Sequence, residues 1–344
     1  MTTVAPVATP PPARPASVLA GRATLLRRRE LPVGIALLVV LVGTSISNHR
    51  FLSSQGRTDL MLAAAITGMV AIGETFVLLM RKVDLSVGST LGLAAYAAGT
   101  AIKDGGDGQL LKAFVVGIAV GLCVGLFNGL LIALLDLPAL VVTLGTLYVV
   151  AGIQAKIVGG ERITADHLPA DFISFGVDRF LGVPKLMWIV IAVGIVASLY
   201  LRHAHSGRDL YAVGSNPPAA ALVGIPVRTR TIVAYLVSGG CAGAAGVLFV
   251  ARLGGVDANA GGGYELAVIA ACVVGGVNIF GGSGTVVGAL LGAMLLRTIG
   301  FSLSALSIPE FWQQAVNGAL LLVAISADRV VTIRRDRAER TRHR

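Results

Sequence analysis

Long apolar runs are the feature that most constrains the fold of this chain. A transmembrane helix needs about 20 mostly apolar residues, and ten stretches of the 344-residue sequence approach that length. Only 13% of the residues are charged, against roughly 25% in an ordinary soluble domain, so a soluble globule is excluded. The sequence therefore predicts an all-α, polytopic integral membrane protein with about ten transmembrane helices. The predicted spans lie at about 31–47, 60–80, 84–102, 113–135, 138–158, 185–201, 231–251, 265–280, 283–300 and 311–327.

Membrane topology explains the positive charge of the chain. A net charge of +10 would suggest nucleic acid as the partner of a soluble protein, but here the cations cluster at the two ends and in a few loops, as the positive-inside rule requires. An even number of spans keeps both basic ends in the cytoplasm. We therefore expect a multi-pass protein of the inner membrane, with no nucleic-acid partner. Its parts are a disordered cytoplasmic tail at 1–30, a transmembrane domain at 31–328 and a basic cytoplasmic tail at 329–344.

A polar interruption, "RKVDLSVGSTLGLAAYAAG" at 81–99, separates two of the apolar runs. Its two cations predict a tight turn at the cytoplasmic side. Asp84 or Ser86 can cap the helix that re-enters the membrane, because short polar side chains accept hydrogen bonds from the first free amides of a helix. Gly88 and Gly92 would then let that helix pack closely against a neighbour. The sequence predicts a structural turn here.

A second interruption in the C-terminal half resembles the first. "VDLSVGSTLGLAAYAAG" and "IFGGSGTVVGALLGAML" both break with serine and glycine and resume as a small-residue helix, which makes Ser283 the counterpart of Ser86. Duplicated halves with interrupted helices in matching positions are typical of transporters. A bias towards glycine and alanine can produce the same likeness, so a pseudo-repeated core is one of two interpretations.

Motifs of catalysis and of ligand chemistry are missing from the sequence. No G-x-x-x-x-G-K-[ST] pattern occurs, so the chain has no ATP site of the P-loop type, and no H-E-x-x-H, C-x-x-C or G-x-S-x-G pattern occurs either. The three cysteines lie in apolar runs without the spacing of metal ligands. We expect no catalytic residue, no metal and no cofactor, and we interpret the chain as a transport protein without enzymatic activity of its own.

Polar side chains inside the predicted spans are the candidates for a pathway or gate. Glu74 and Arg297 are ionisable, and such a residue in mid-span costs roughly 2.5–3.5 kcal/mol on insertion scales. They either line a pathway or form structural contacts, by pairing or, for Arg297, by snorkelling. Asn128, Thr143 and Asn278 offer hydrogen bonds without charge, which suits a neutral polyhydroxylated solute. Single Asn or Thr residues also often bridge helices, so both interpretations stay open.

The cytoplasmic loop 202–230 contains residues that are typical of the start and the end of a short helix. Ser215 or Asn216 can serve as the N-cap, two prolines follow in the first turn, and a Gly-Ile-Pro sequence ends the segment. The loop either carries a helix under the membrane or is a linker that happens to have these signals. The residues concerned are Asn216, Pro217, Pro218, Ala219, Ala220 and Gly224.

Four stretches together resemble the permease subunits of bacterial ABC importers for simple sugars. Three are "VDLSVGS" (83–89), "LPALVVTLGTLYVVAGI" (137–153) and "GRDLYAVGSNPPAAALVGIPV" (207–227). The fourth, "AGGGYELAVIAACVVGGVNIFGGSGTVVGALLGAML" (260–295), is similar to the most recognisable segment of that family. The similarity runs in order from about residue 31 to 328 and is greatest to the ribose, rhamnose and autoinducer-2 branch.

The resemblance implies a function and a set of partners. The chain would translocate a simple sugar or sugar-like solute across the inner membrane as a permease subunit. It would work with a second permease copy or paralogue, cytoplasmic ABC ATPase subunits and an extracytoplasmic solute-binding protein, within the lipid bilayer. The 216–224 segment looks like the helix that couples the permease to the ATPase. Family members often carry Glu-Ala-Ala near its start, whereas this chain has Pro218, Ala219 and Ala220, which removes one charged contact.

Two other classes of membrane protein are alternatives to the importer. An ion-coupled secondary transporter of small polar solutes would need carboxylates for the coupling ion, or broken helices that bind sodium at the midplane. A membrane-embedded transferase would need a cluster of aspartate or histidine at a membrane boundary. The sequence has no clear sign of either.

Overall fold

The computed structural model describes residues 30–103, 105, 108–159 and 162–309, together with 312, 315, 316, 318, 319, 322, 323 and 326. The predicted tail at 329–344, nearly all of the predicted tail at 1–30 and most of the predicted span 311–327 lie outside these residues. In chain order the helices are α1 (Glu30–Ser47), α2 (Ser54–Leu79), α3 (Val87–Ile102), α4 (Gln109–Leu134), α5 (Ala139–Val158), α6 (Ala170–Val177), α7 (Lys185–His203), α8 (His205–Ser215), α9 (Pro217–Leu222), α10 (Val227–Leu253), α11 (Tyr264–Val274) and α12 (Val286–Ala305).

Little structure other than α-helix occurs in the described ranges. A 3₁₀ turn at Ala165–His167 precedes α6. Strands β1 (Arg179–Phe180) and β2 (Val183–Pro184) form an antiparallel hairpin in which Arg179 is opposite Pro184. Seven of the described helices, α1, α2, α4, α5, α7, α10 and α12, are long and apolar enough to cross a membrane. The predicted polytopic helical membrane fold is therefore confirmed.

Two predicted spans are only part-length helices. The run predicted at 84–102 is α3, with 16 residues, and the run predicted at 265–280 is α11, with 11 residues. At 1.5 Å per residue, α11 is about 16 Å long, which is half of the roughly 30 Å hydrocarbon core. Hydropathy overestimated both because the residues around them are apolar or glycine and yet not helical. Glycines with positive φ at 261, 263, 276, 281 and 282 flank α11 on both sides.

The two ends of the helix bundle differ in what they carry. One end carries α8 and α9 and is called here the α9 face. The other carries α6 and the β1–β2 hairpin, where Ile163 pairs with Val256, and is called the hairpin face. Helix α1 begins at the α9 face, since the Thr285 hydroxyl at the start of α12 donates to the Glu30 carboxylate.

The core is built around α2, which is buried from Thr58 almost continuously to its end. Helices α7, α10, α11 and α12 pack around it. Helices α1, α4, α5 and α7 turn large apolar side chains outward, for example Ile46 and Leu111, both 71% exposed, and Val196, 67% exposed. An apolar outer surface over a small-residue interior is what a protein surrounded by lipid requires.

Glycines let α4 and α10 approach closely. Gly117, Gly121 and Gly125 of α4 face Gly239 and Gly243 of α10, and a Cβ at Gly121 or at Gly239 would overlap the carbonyl oxygen of the other. The spacing of four residues places these glycines on one face of each helix. No side chain fits between the two backbones, so glycine is required there.

We expect Gly121→Val to destabilise the protein by about 1–3 kcal/mol or more, since overpacking at a site that cannot relax costs that much. The measurement is thermal unfolding in detergent. Gly43→Val in α1 is the matched control, because nothing lies within 4 Å of a Cβ at that position and surface changes usually stay within about 0.5 kcal/mol. Equal melting of the two variants would contradict the close α4–α10 packing.

Candidate functional site

A buried cluster of polar side chains lies where the 80–86 linker, between α2 and α3, meets α4, α5 and α10. We call it the central polar network. Asp84, 1% exposed, is at its centre and its two carboxylate oxygens accept hydrogen bonds from both sides. Ser86 donates to Oδ1 through its amide at 3.0 Å and its hydroxyl at 2.6 Å. Ser238 of α10 donates to Oδ2 at 2.9 Å. The members are Glu74, Asp84, Ser86, Asn128, Thr146 and Ser238.

The side-chain hydrogen bonds from α4 and α5 form a chain that is directed at Asp84. Thr146 of α5 donates to Asn128 Oδ1 at 2.6 Å, and the Asn128 amide of α4 donates to Ser86 Oγ at 2.9 Å. Ser86 then uses its own proton for Asp84. A chain of donors directed at one carboxylate stabilises charge there in a low-dielectric interior. The network joins three helices to the 80–86 linker.

Glu74 is the second buried carboxylate of the network. Its side chain is 0% exposed and its Oε1 accepts the Asp84 amide at 3.1 Å. Its Oε2 has no hydrogen-bond partner among the described residues. Asp84 is therefore surrounded by donors whereas Glu74 is not, and the two acids differ in what they contribute to stability.

The backbone of the 80–86 linker is held as well. The Val83 carbonyl accepts the Tyr235 hydroxyl at 3.0 Å and, more weakly, the Thr143 hydroxyl at 3.4 Å. The side-chain cap predicted at Ser86 does not form: Ser86 occupies the N-cap position of α3 without a capping hydrogen bond. Its hydroxyl oxygen accepts the Asn128 side-chain amide instead, and its proton is donated to Asp84.

The structure brings some of the predicted pathway residues together and separates others. Glu74, Asn128 and Thr143 meet at the 80–86 linker, whereas Arg297 lies elsewhere, so Glu74 and Arg297 do not pair with each other. The Arg297 guanidinium stacks on the Tyr264 ring, 4.7 Å from its centroid, and donates to the Thr67 hydroxyl. A cavity of about 150 Å³ adjoins this site. Its lining residues are Thr67, Ala267, Leu296, Arg297, Gly300, Phe301 and Ser304.

Asn278 and Ser283 belong to a turn in the 275–285 linker between α11 and α12. The Asn278 amide donates to the Ser283 carbonyl at 2.8 Å, and Asn278 Oδ1 accepts the Phe280 amide at 2.8 Å. Thr285 caps α12 by accepting the Gly288 amide at 2.9 Å. The Asn278 side chain is thus used within its own turn at the α9 face.

The two polar interruptions of the sequence are in contact, because Gly281 packs against Arg81. The Gly282 amide donates to the Leu79 carbonyl at 3.0 Å, which joins the 275–285 linker to the end of α2. A Cβ at Gly214 of α8 would overlap that same Leu79 carbonyl. The end of α2, the 275–285 linker and α8 therefore meet at one point on the α9 face.

Helix α9 has the local geometry that its sequence indicates. Asn216 Oδ1 accepts the Ala219 amide at 3.2 Å, with prolines in the first turn. Gly224 follows with φ +84°, a conformation that other residues rarely adopt. Leu222 and Val223 are 88% and 77% exposed. The short helix ends in two apolar side chains that nothing in the described part of the chain covers.

Helix α8, which the sequence did not predict, connects α9 to the bundle. Arg230 and Asp209 form an ion pair at 2.9 Å, and the Tyr211 hydroxyl donates to the Gly284 carbonyl at 3.1 Å. Burial raises the pKa of the Tyr211 hydroxyl above its ordinary value, so it keeps the proton that it donates. Helix α8 therefore joins α9 to α10 and to the 275–285 linker.

Sequence reasoning missed several side chains that the structure places in the site. Ser238, Thr146 and Tyr235 lie in small-residue or apolar runs where a hydroxyl carries no distinctive pattern. Gln154 lies directly after the stretch 137–153, and Glu265 lies within the stretch 260–295. Of these residues, Glu265 alone could have been found from the sequence, because it is the one carboxylate in the long apolar stretch 260–295.

Comparison with known proteins assigns the class. Residues 56–325 match the family described as the permease component of branched-chain amino acid transport systems, so the chain belongs to this family of membrane permeases. No solved structure matches the chain.

Individual relatives are autoinducer 2 import system permease proteins named LsrC. Those of Enterobacter sp. (strain 638) and Klebsiella pneumoniae subsp. pneumoniae are 36% and 37% identical over 305 residues, which is 89% of this chain and 88% of each relative. That of Escherichia coli O157:H7 is 36% identical over 300 residues, covering 87% of this chain and 86% of the relative. These similarities confirm the resemblance seen in the sequence.

Proposed function

We propose that this permease is the membrane subunit of an ABC importer for a simple sugar or a sugar-like solute of the ribose, rhamnose or autoinducer-2 type. The observation that carries the proposal is the 36–37% identity to autoinducer 2 import permeases over nearly nine-tenths of the chain. The family description names branched-chain amino acids, but the individual relatives are closer guides to the solute than the family as a whole.

Cytoplasmic ABC ATPase subunits supply the energy in this proposal, and α9 is their contact. The support is the exposed pair Leu222 and Val223 at the end of a capped helix. The α9 face is then cytoplasmic, together with the tail that precedes α1, and the hairpin face receives the solute-binding protein. A second copy or a paralogue of the permease completes the channel.

Motion would pass from α9 to the middle of the membrane through direct contacts. ATPase closure moves α9 and α8 as one body, since short rigid helices transmit rigid-body motion. Helix α8 touches the end of α2 at Leu79 and the 275–285 linker at Gly284. The 80–86 linker begins directly after α2 and carries Asp84 into the central polar network. The network is the element whose rearrangement would open the path.

The ion-coupled secondary transporter gains one observation from the structure. Glu74 and Asp84 form a buried pair of carboxylates beside part-length helices, which is the kind of feature such a transporter needs. The identity to importer permeases weighs against it. The two classes differ in the energy source of uptake, which is ATP hydrolysis for the importer and an ion gradient for the secondary transporter.

The test is uptake of labelled sugars, autoinducer 2 and branched-chain amino acids by cells that contain the permease with its ATPase and binding protein. We expect uptake of a sugar or of autoinducer 2 that is lost with a catalytically inactive ATPase and survives a protonophore. Uptake that persists without the ATPase would overturn the importer, and uptake of amino acids alone would overturn the solute class.

A further inference from the structure

Glu265 places a carboxylate at the meeting point of two part-length helices. It lies in the first turn of α11, and its Oε2 packs against Gly88 in the first turn of α3. A Cβ at Gly88 would overlap that oxygen and would come 2.6 Å from the Gly261 carbonyl. Glycine at 88 therefore leaves the space that the carboxylate occupies, and the glycine run before α11 completes the surroundings.

This carboxylate lies inside the hydrophobic layer. Helix α3 has 16 residues, so its first turn is about 20 Å from its other end. That other end is at the hairpin face, where Gly99 packs against Ile163. Helix α11 continues from Glu265 into the layer and packs at Ala271 against Gly292, in the middle of α12. Both helices thus place Glu265 well below the membrane surface.

One side of Glu265 is open. Its side chain is only partly buried, and Gly262 and Gly263 beside it are exposed, as is Leu266 at 57%. Over the described ranges it forms no ion pair. An ionisable group facing lipid at this depth costs several kcal/mol and such groups face protein or a water-filled cavity instead. The open side of Glu265 therefore faces an aqueous path or another subunit that encloses one.

The backbone that positions Glu265 is fixed by a buried amide. Gln154 of α5, 2% exposed, donates to the Ala260 carbonyl at 3.0 Å and to the Asp257 carbonyl at 3.3 Å. Gly261 follows with φ +84° and packs against the Gly88 carbonyl. The approach to α11 is thus rigid, and a rigid acceptor is what geometric discrimination between solutes needs.

We propose that Glu265 contacts the solute and determines specificity, its carboxylate accepting hydrogen bonds from hydroxyl groups of a neutral polyhydroxylated molecule in the translocation path. This inference rests on the proposed function. An ionised carboxylate only accepts hydrogen bonds, a sugar offers neighbouring hydroxyl donors, and charge-assisted bonds are about twice as strong as neutral ones. A solute that lacks one of those hydroxyls leaves the carboxylate incompletely hydrogen-bonded inside the membrane.

The experiment uses the complete importer, permease with ATPase and binding protein, in proteoliposomes. It compares maximal uptake of a transported sugar with that of its monodeoxy analogues, each at a concentration that saturates the binding protein, so that the binding protein does not set the ratio. We expect the wild type to favour the parent sugar by roughly ten-fold over one analogue, as for a hydrogen bond to a charged group. Glu265→Ala should reduce this preference to about one and slow uptake of the parent, and Glu265→Gln should lie between.

Glu30→Gln is the matched control, because it removes a carboxylate at the α9 face, and it should keep the wild-type preference. Gly88→Ala should reproduce the effect of Glu265→Ala by displacing the carboxylate. If Glu265→Ala fails to assemble with the ATPase, the preference for the parent sugar is measured in Glu265→Gln, whose side chain has the same size as that of the wild type. If the assembled Glu265 variants keep the wild-type preference for the parent sugar and the wild-type rate of uptake, the role of Glu265 is overturned while the proposed function stands. Absence of ATP-dependent sugar uptake by the wild type overturns the proposed function and the inference with it.

Discussion

Replacing Asp84 with alanine is expected to give a permease that neither assembles stably nor transports. The change removes the acceptor of three hydrogen bonds and leaves the donors of Ser86 and Ser238 unpaired in a dry interior. A buried donor left without an acceptor costs about 1–3 kcal/mol, so the loss of the acceptor of these hydrogen bonds costs about 3–5 kcal/mol in total. The expected loss of folding free energy is of that size, measured by thermal unfolding in detergent and by the amount of protein in the membrane.

Glu74→Gln is the matched control for this prediction. The amide keeps an oxygen for the backbone amide of Asp84, which is the one hydrogen-bond partner of the Glu74 carboxylate within the described part of the chain. We expect a change below about 1 kcal/mol, within the net value of one hydrogen bond. Ser238→Ala, which leaves Asp84 with one donor fewer, should lie between the two at about 1–2 kcal/mol. Equal stability of Asp84→Ala and Glu74→Gln would show that Asp84 does not organise the network.

The second large effect is expected at α9. The double substitution Leu222→Asp and Val223→Asp should leave thermal unfolding of the permease unchanged, because both side chains are largely exposed. It should abolish copurification with the ATPase and reduce uptake by at least ten-fold, since burying two unpaired carboxylates in an apolar contact costs more than the roughly 1.4 kcal/mol that a ten-fold change corresponds to. The measurements are copurification, ATPase stimulation and uptake.

Leu181→Asp provides the comparison for α9. Leu181 is also largely exposed, at 79%, but it lies at the hairpin face, and its positive φ of 52° is tolerated by aspartate. Its copurification with the ATPase should equal that of the wild type. If the double substitution at 222 and 223 also copurifies normally, α9 is not the contact with the ATPase.

Local signals in the sequence predicted some elements well. The apolar runs identify the long helices because length and hydropathy suffice for a membrane span. Helix α9 was anticipated from Asn216 and Gly224 because capping involves residues only a few positions apart. Hydropathy failed for α3 and α11, since an apolar stretch with glycine remains apolar whether or not its backbone is helical. Helix α8 was missed because its pattern is that of an amphipathic surface segment within a loop.

The candidate site was harder to predict because its contacts are distant in sequence. Asp84 and Ser238 are 154 residues apart, and the hydroxyl of Ser238 looks like any other small residue of α10. Glu74 was recognised as an unusual charge, yet its neighbour Asp84 was interpreted as a helix cap. Only the packing of α2 against α10 shows that these acids belong to one network.

That separation has a consequence for how the protein is made. At about 5–20 residues per second, the ribosome needs roughly 8–30 seconds to synthesise the 154 residues from Asp84 to Ser238. During that interval α2 and the 80–86 linker are in the membrane without α10, so Asp84 lacks one of its donors. The nascent permease is therefore a prolonged target for membrane proteases and insertion chaperones. Chains that stop before residue 238 should be degraded rather than accumulate.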